Sequence, residues 1–169
     1  MNRQMARFLK VSEKQFIADM KKLGYDEFEA EKALNSIQIP KRSTKYSAGY
    51  DFVTPIRIFL KPGESIVIPT GIRCQMDNGW FLMLAPRSGH GFKYKLQLDN
   101  TVGIIDADYY DAENEGHIMI KITNDNRHMQ DFEAAKGSKI AQGVFIPYGI
   151  CINDDSLTER TGGFGSTGD

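Results

Sequence analysis

From about residue 47 onward the sequence consists of short β segments separated by turn residues, and this pattern limits the fold more than any other feature. Every second residue from Ile118 to Ile122 is isoleucine, which is typical of a strand with one buried face. Further strands are predicted at residues 56–60, 65–68, 72–76, 80–84 and 140–146. Turns are predicted at Pro62-Gly63, Asp77-Asn78-Gly79 and Lys136-Gly137. The pattern predicts an all-β sandwich or barrel.

The residues before this region predict one strand, at 5–11, and two short helices. Ser12 and Gln15 match the capping-box spacing, Val11 and Phe16 match the hydrophobic staple, and Gly24 ends the first helix. The second helix begins with the capping pair Asp26 and Glu29 and ends before Pro40. Its predicted apolar stripe consists of Phe28, Ala33, Leu34 and Ile37.

Two consecutive helices suggest a DNA-binding helix-turn-helix, but the charge pattern argues against it. Glu27, Glu29 and Glu31 would face DNA phosphates with the wrong sign. The formal net charge of −1 and the pI near 6.3 provide no general attraction to nucleic acid. We therefore expect a helical insert, about residues 12–36, that packs on the main body, and no nucleic-acid partner.

Length and composition predict a single domain over residues 1–169 in a reducing, cytoplasmic environment. The N-terminal residues lack the apolar core of a signal peptide, and no apolar run reaches the roughly 18 residues of a membrane span. We therefore expect no membrane association. Cys74 and Cys151 lack metal-ligand spacing and are interpreted as buried apolar residues. His90, His117 and His128 are interpreted as structural or surface residues.

The C-terminal segment Gly163-Phe-Gly165-Ser-Thr-Gly168 formally matches GxGxxG, the dinucleotide-binding pattern. That pattern binds pyrophosphate only between a strand and a helix, and here only Asp169 follows it. Two interpretations stay open from composition. The tail wraps a phosphate with backbone amides and Arg160, or it is a disordered terminus.

Three further segments carry candidate chemistry, and each has an ordinary structural alternative. Residues 86–91, with Arg87, Ser88 and Gly89, suit phosphate binding or a simple hairpin turn. Asp106 follows an apolar stretch, where poor solvation would suit a general base, but acids are also common in turns. Asp108 and Asp51 are ambiguous in the same way.

In their order along the chain, these pieces resemble the five motifs of the trimeric dUTPase family. The matching segments are Ala48-Gly-Tyr-Asp51, Pro86-Arg-Ser-Gly89, Asn100-Thr-Val-Gly-Ile-Ile-Asp-Ala-Asp-Tyr109, Gly137-Ser-Lys-Ile-Ala-Gln142 and Arg160-Thr-Gly-Gly-Phe-Gly-Ser-Thr-Gly168. The resemblance covers residues 39–169. Each motif alone is weak, whereas five in the right order with similar spacing are specific.

The resemblance implies a β-barrel or jelly-roll subunit that assembles as a homotrimer and hydrolyses dUTP to dUMP and pyrophosphate. Each active site would contain residues of three chains. Asp106 resembles the catalytic acid that holds the attacking water and the 3′-hydroxyl, and Tyr109 the residue beneath the deoxyribose. A hairpin that includes Gly103 and Ile105 would recognise uracil through its main chain, and Asn100 would order solvent.

The other motifs imply contacts to the phosphates and to magnesium. Ser88 and Gly89 would contact phosphates, with Arg87 and Gln142 nearby. Asp51 would organise Mg²⁺ through water, while the ion itself sits mainly on the substrate phosphates. Residues 160–169 would form a mobile C-terminal lid, in which Arg160, Ser166 and Thr167 close over the γ-phosphate and Phe164 stacks on uracil. Gly165 of the same segment would also bind substrate. Asp106 would then work in trans, with Arg87 and Arg160 supplied by neighbouring subunits.

The sequence departs from the family pattern at four places. Ser138 stands where an acid is usual, the segment after Tyr109 is longer than the common Arg-Gly turn, and Arg160 lies one residue closer to Phe164. The helical insert has no counterpart in the minimal family fold. Two alternative functions stay open: a dCTP deaminase on the same fold, and a nucleotide-sensing module whose insert engages a protein partner.

Overall fold

Antiparallel strands form most of the regular structure in the computed structural model, which describes residues 4–156. The strands are β1 Ala6–Lys10, β2 Lys41–Arg42, β3 Tyr50–Val53, β4 Ile58–Leu60, β5 Ser65–Pro69, β6 Ile72–Met76, β7 Trp80–Pro86, β8 Leu96–Leu98, β9 Gly103–Ile105, β10 Met119–Asn124, β11 Phe132–Ala134 and β12 Lys139–Pro147. The helices are α1 Glu13–Lys22, α2 Glu27–Leu34 and α3 Ser88–Tyr94, and a 3₁₀ turn covers Ala107–Asp111. The predicted all-β class is confirmed.

The largest sheet has the strand order β2-β3-β12-β7-β9, so β12 and β7 lie at its centre. A second sheet has the order β5-β10-β8, and two further pairs, β1-β6 and β4-β11, complete the described part of the chain. All of these pairings are antiparallel. The central position of β12 matters for the site, because it brings segments from distant parts of the sequence side by side.

The core follows from the period-two alternation of the strands. Ile118, Ile120 and Ile122 are buried as predicted, while Lys121 between them is exposed. Phe16 and Met20 of α1 are completely buried and belong to the same apolar cluster as the strand residues. Helices α1 and α2 therefore pack on the sheet structure and share its core. Gly63, Gly79 and Gly137 have φ of +84° each, which confirms the predicted turns.

The first helix begins at Ser12 as predicted, but its cap is completed by a distant residue. The Ser12 side chain accepts a hydrogen bond from the Gln15 backbone N–H, whereas the Gln15 side chain donates to Asp19 instead of closing a capping box. The carboxylate of Glu115 accepts from the Ser12 N–H at 2.8 Å in its place. At α2 both bonds of the predicted Asp26–Glu29 capping box are present.

Two predictions of burial are wrong. Phe28 is 72% exposed, because it lies on the opposite side of α2 from Ala30 and Ala33, the buried residues of that helix. Cys151 is exposed, because it follows the last strand in a segment without a packing partner on the core. Cys74 is buried as expected, and burial raises the pKa of its thiol to about 12. No helix within residues 4–156 is long and apolar enough to cross a membrane.

Candidate active site

Strands β3, β12 and β7 bring three of the five motif segments together. Gln142 on β12 lies opposite Asp51 on β3 and opposite Ala85 on β7. Arg87 follows the end of β7, and its Nε lies 3.3 Å from Asp51 Oδ1. Lys139 at the start of β12 places its Nζ 2.7 Å from Asp51 Oδ2. The register of two strand pairs thus assembles one carboxylate and two cations at a single sheet end.

Asp51 is held in its charged form by these neighbours. The hydroxyl of Ser43 donates to Asp51 Oδ2 at 2.6 Å, and Lys139 Nζ also donates to the Ser43 hydroxyl at 2.8 Å. Burial raises the pKa of Asp51, but the hydrogen bonds from Lys139 and Ser43 and the charge of Arg87 outweigh it, so the pKa lies below its usual value of 3.8. Both carboxylate oxygens therefore already have polar partners within the chain.

Gln142 and Gly49 are neighbours in this cluster. The Gln142 side chain donates to the carbonyl of Pro86 at 3.2 Å, which directs it toward the second motif segment. A Cβ atom on Gly49 would lie 2.8 Å from Gln142 Oε1. A larger residue at position 49 would therefore displace Gln142, which gives a physical reason for glycine there.

Arg87 to Gly91 do not form the hairpin turn that was the simpler alternative. Arg87 is the N-cap of α3, and its carbonyl accepts from the N–H groups of His90 and Gly91 at 3.0 Å each. Ser88 and Gly89 lie exposed in the first turn, and nothing lies within 4 Å of a Cβ placed on Gly89. Since the first N–H groups of a helix lack intrahelical acceptors, this end of the sheet presents backbone donors beside Arg87.

Asp106 lies at the opposite end of β7 from Arg87. Strand β9 pairs with β7 so that Ile105 is opposite Leu82 and Gly103 is opposite Leu84. Arg87 is five residues beyond Leu82 along β7, which corresponds to about 17 Å at the usual strand rise. One subunit therefore does not bring Asp106 together with Arg87.

The structure revises two expectations for the Asp106 segment. The Asp106 side chain is exposed in the subunit, so the poor solvation expected after an apolar stretch is not found. The segment also does not form a two-stranded hairpin, because β8 pairs with β10 and β9 pairs with β7. Gly103 packs closely on Leu84, Ile105 is buried, and the exposed Asn100 lies in the connection between the two sheets.

Tyr109 is only 2% exposed and belongs to the core. Its hydroxyl donates to the carbonyl of His117 at 2.9 Å and accepts from the Asn114 side chain at 2.8 Å. The predicted lid residues Arg160, Phe164, Gly165, Ser166 and Thr167 lie outside the described residues. Within residues 4–156 there is no group of three or more His, Cys, Asp or Glu side chains arranged to hold a metal ion.

The family profile described as dUTPase matches residues 35–168. The chain belongs to the dUTPase family. The profile begins at Asn35, the C-cap of α2, so both insert helices precede it. The assignment agrees with the joined motif segments around Asp51, Arg87 and Gln142.

Individual dUTPases cover most of the chain. The deoxyuridine 5′-triphosphate nucleotidohydrolase of Lactococcus lactis is 44% identical over 137 residues, 78% of this chain and 89% of its own. The enzyme of Hahella chejuensis is 38% identical over 142 residues, 79% of this chain and 89% of its own. The crystal structure of the dUTPase from Streptococcus mutans has a TM-score of 0.64 at 31% identity and covers 86% of this chain and 98% of that one.

Two sets of contacts in this region could not be predicted from the sequence. Lys139 and Ser43 bind Asp51. Lys139 lies within a motif segment, whereas Ser43 lies outside all five and no sequence pattern singled it out. Glu115 and Asp19 connect the region after Tyr109 to the insert across about a hundred residues of sequence. The longer segment after Tyr109 and the helical insert both depart from the family pattern, but nothing in the sequence indicated that they contact each other.

Proposed function

We propose that this chain hydrolyses dUTP to dUMP and pyrophosphate at sites shared between the subunits of a homotrimer. The separation of Asp106 and Arg87 at opposite ends of β7 is the observation that carries the shared site. Charge neutralisation and an aligned water are the main requirements of phosphate hydrolysis. Within one subunit, Arg87 can neutralise phosphate charge but lies too far from Asp106, which would align the water. A neighbouring subunit whose Asp106 approaches Arg87 would bring the two functions together.

In this proposal Asp106 positions a water whose oxygen bonds to the α-phosphorus while the bond to the bridging oxygen breaks. The water proton passes toward the Asp106 carboxylate, and pyrophosphate leaves. Arg87 and the exposed N–H groups of Ser88 and Gly89 bind phosphate oxygens. Main-chain groups of residues 103–105 read uracil, Asn100 orders solvent, and Tyr109 supports the deoxyribose.

Magnesium fits the Asp51 cluster as an ion reached through water. Because Lys139, Ser43 and Arg87 already occupy the Asp51 oxygens, Asp51 suits hydrogen bonding to a metal-bound water better than direct ligation. When bound, Mg²⁺ neutralises charge on the phosphates. The dUTPase of phage phi11 of S. aureus is described with a structural Mg(II) ion, and at 24% identity its likeness concerns the fold.

The proposal has four further parts. They are a jelly-roll subunit, assembly as a trimer, a lid formed by residues 160–169 and a cytoplasmic location. The lid would bring Arg160, Ser166 and Thr167 to the γ-phosphate and Phe164 to the uracil ring, with Gly165 giving the close approach. Support for these assignments is the order of motif segments in a chain of this family.

A nucleotide panel tests the activity. The protein is incubated with dUTP, dCTP, dTTP or UTP and Mg²⁺, and pyrophosphate and ammonia are both measured. We expect pyrophosphate from dUTP far faster than from the other three nucleotides, and no ammonia. Ammonia from dCTP would replace the proposal by a deaminase, and binding of dUTP without turnover would favour a nucleotide-sensing module.

Subunit mixing tests the shared site. Asp106→Asn and Arg87→Ala variants with different affinity tags are co-expressed, and mixed trimers are purified through both tags. If Asp106 acts with a neighbour's Arg87, cyclic symmetry leaves one intact site in every mixed trimer, so activity should return to about one third of wild type. Mixed trimers as inactive as the parents would show that both residues act within one chain.

A further inference from the structure

Glu115 connects the segment that follows Asp106 to the first insert helix. Its Oε2 accepts from the Ser12 backbone N–H at 2.8 Å, and its Oε1 accepts from the Ser12 hydroxyl at 2.7 Å. These two bonds hold the pKa of Glu115 below its usual value of 4.5. A residue that lies 103 positions away in sequence thus caps α1, although that helix has a serine at its own N-cap.

A buried Asp19–His117 pair makes a second connection. Gly71 N–H donates to His117 Nε2 at 2.8 Å, so this nitrogen carries no proton and Nδ1 holds it. His117 Nδ1 then donates to Asp19 Oδ2, also at 2.8 Å. His117 is completely buried and Asp19 is 4% exposed. Because a buried polar pair is costly to disrupt, this contact holds α1 in one position relative to the segment before β10.

The same segment determines where the Tyr109 ring lies. The Tyr109 hydroxyl donates to the His117 carbonyl, and the neighbouring Gly116 is so close that a Cβ there would lie 2.5 Å from the Tyr109 carbonyl oxygen. Arg73 contacts the next residue, with its guanidinium 3.6 Å from the centre of the Tyr110 ring and a hydrogen bond to the Tyr110 carbonyl. Gly116 and His117 thus contact Tyr109 directly, and a shift of residues 115–117 would act on Tyr109 through these contacts.

We propose that Glu115 and the Asp19–His117 pair are positioning residues, through which the helical insert holds Tyr109 and sets selectivity for deoxyribose over ribose. The inference rests on the proposed function, in which Tyr109 supports the sugar. The two segments that depart from the family pattern, the insert and the longer stretch after Tyr109, contact each other through these residues. The insert is thus part of the site's support, even though it precedes the region that the family profile matches.

The test compares Glu115→Ala with Glu27→Ala. Glu27 forms an exposed ion pair with Lys21 at 3.3 Å in the same insert, so its removal changes the charge there without touching residues 109–117. The readout is kcat/KM for dUTP divided by kcat/KM for UTP. Loss of folded protein lowers both rates equally and leaves this ratio unchanged, whereas a displaced Tyr109 lowers it.

We expect Glu115→Ala to lower the ratio about tenfold, which is within the roughly 100-fold that a misplacement of about 1 Å can cost. Glu27→Ala should keep the wild-type ratio. Glu115→Gln should also stay close to it, since the amide retains an acceptor for the Ser12 N–H and can donate to the Ser12 hydroxyl. Adding Ser12→Ala to Glu115→Ala should lower the ratio no further, because the Ser12 hydroxyl has already lost its partner on Glu115.

Separate outcomes identify which proposal fails. If wild type prefers dUTP over UTP and Glu115→Ala keeps that preference, the positioning role is wrong and the proposed function stands. If wild type lacks the preference, the proposed function itself is wrong. Should Glu115→Ala not yield folded protein, Asp19→Ala removes the acceptor of His117 Nδ1 and so breaks the second connection; an unchanged ratio in that variant would overturn the positioning role.

Discussion

Lys139 Nζ lies 2.7 Å from Asp51 Oδ2, so an ion pair joins the first and fourth motif segments across the β3–β12 strand pair. Arg87 from the second segment approaches the other oxygen of the same carboxylate at 3.3 Å. Asp51 therefore lies between two cations, and its charge affects both the phosphate-binding side chains and any ion held through water.

Asp51→Asn should raise the Mg²⁺ concentration needed for half-maximal activity. Loss of a group that orders metal-bound water typically costs about 10- to 100-fold in metal affinity or activity. Titration of dUTP hydrolysis with Mg²⁺ measures the shift. Ser43→Ala, which removes only one hydrogen bond to Asp51, should have a smaller effect. An unchanged Mg²⁺ requirement in Asp51→Asn would remove Asp51 from the metal site.

Asp106→Asn should abolish most turnover and preserve binding. Removal of a positioned base costs roughly 10²- to 10⁴-fold in rate, whereas the nearly isosteric amide should leave the dUTP dissociation constant within about tenfold of wild type. Single-turnover rates and equilibrium binding separate the two quantities. Asp108→Asn, two residues further on, is the matched control and should remain active. Equal losses in both variants would argue against a specific role for Asp106.

Deletion of residues 161–169 should sharply reduce turnover and leave the oligomeric state intact. The reason is that the deleted residues would close over the phosphates and exclude bulk water. Steady-state hydrolysis and light scattering measure the two properties. Activity that survives the truncation would refute the lid.

Gly116→Ala should destabilise the fold more than Gly79→Ala. Both glycines have positive φ, +65° and +84°, so each substitution introduces backbone strain of about 1–2 kcal/mol. Only at Gly116 would the added Cβ also meet backbone atoms, at 2.5 Å and 2.8 Å, whereas nothing lies within 4 Å at Gly79. Chemical denaturation gives both free energies of unfolding. Equal losses of unfolding free energy in the two variants would mean that the close packing of Gly116 on Tyr109 does not contribute to stability.

Asp19→Asn should change the pH dependence of stability on the acid side. Burial raises the pKa of Asp19, but hydrogen bonds from His117 and Gln15 and the charge of Lys22 outweigh it and hold the pKa below the usual 3.8. A lowered pKa adds stability that is fully present above the unfolded value and is lost as pH falls through the folded value.

Denaturation between neutral pH and pH 3 tests this expectation. The wild-type free energy of unfolding should fall below about pH 4 partly because of Asp19, and Asp19→Asn should start lower and fall less steeply. Asp26→Asn provides a control carboxylate at an exposed helix cap. A parallel fall in wild type and Asp19→Asn would show that Asp19 does not contribute.

Local patterns in the sequence predicted the strands, turns and helix starts because each depends on residues close together. The alternation around Ile120 and the glycines of the turns needed no tertiary information. The Glu115 cap of Ser12 and the contact of Ser43 with Asp51 could not be predicted, because they depend on how separate elements meet in space. The exposure of Phe28 was missed for a related reason: a short helix with few apolar residues does not define its buried side.

The motif segments of the candidate site could be predicted from the sequence, but their arrangement in space could not. Five motif segments in order indicated the family, and three of them do converge around Asp51. Their separation from Asp106 depends on the register Leu84 opposite Gly103, which no single motif specifies.

Arg87 follows β7 and Asp106 follows its partner strand β9, and the register of the pair keeps them farther apart than their side chains reach. Under the proposed shared site, an isolated subunit would have Arg87 in one incomplete site and Asp106 in another. A newly synthesised chain would then be inactive until it assembles with its neighbours. Specific activity would then depend on the fraction of chains that are assembled. Dilution below the dissociation constant of the oligomer would abolish hydrolysis while each chain remains folded.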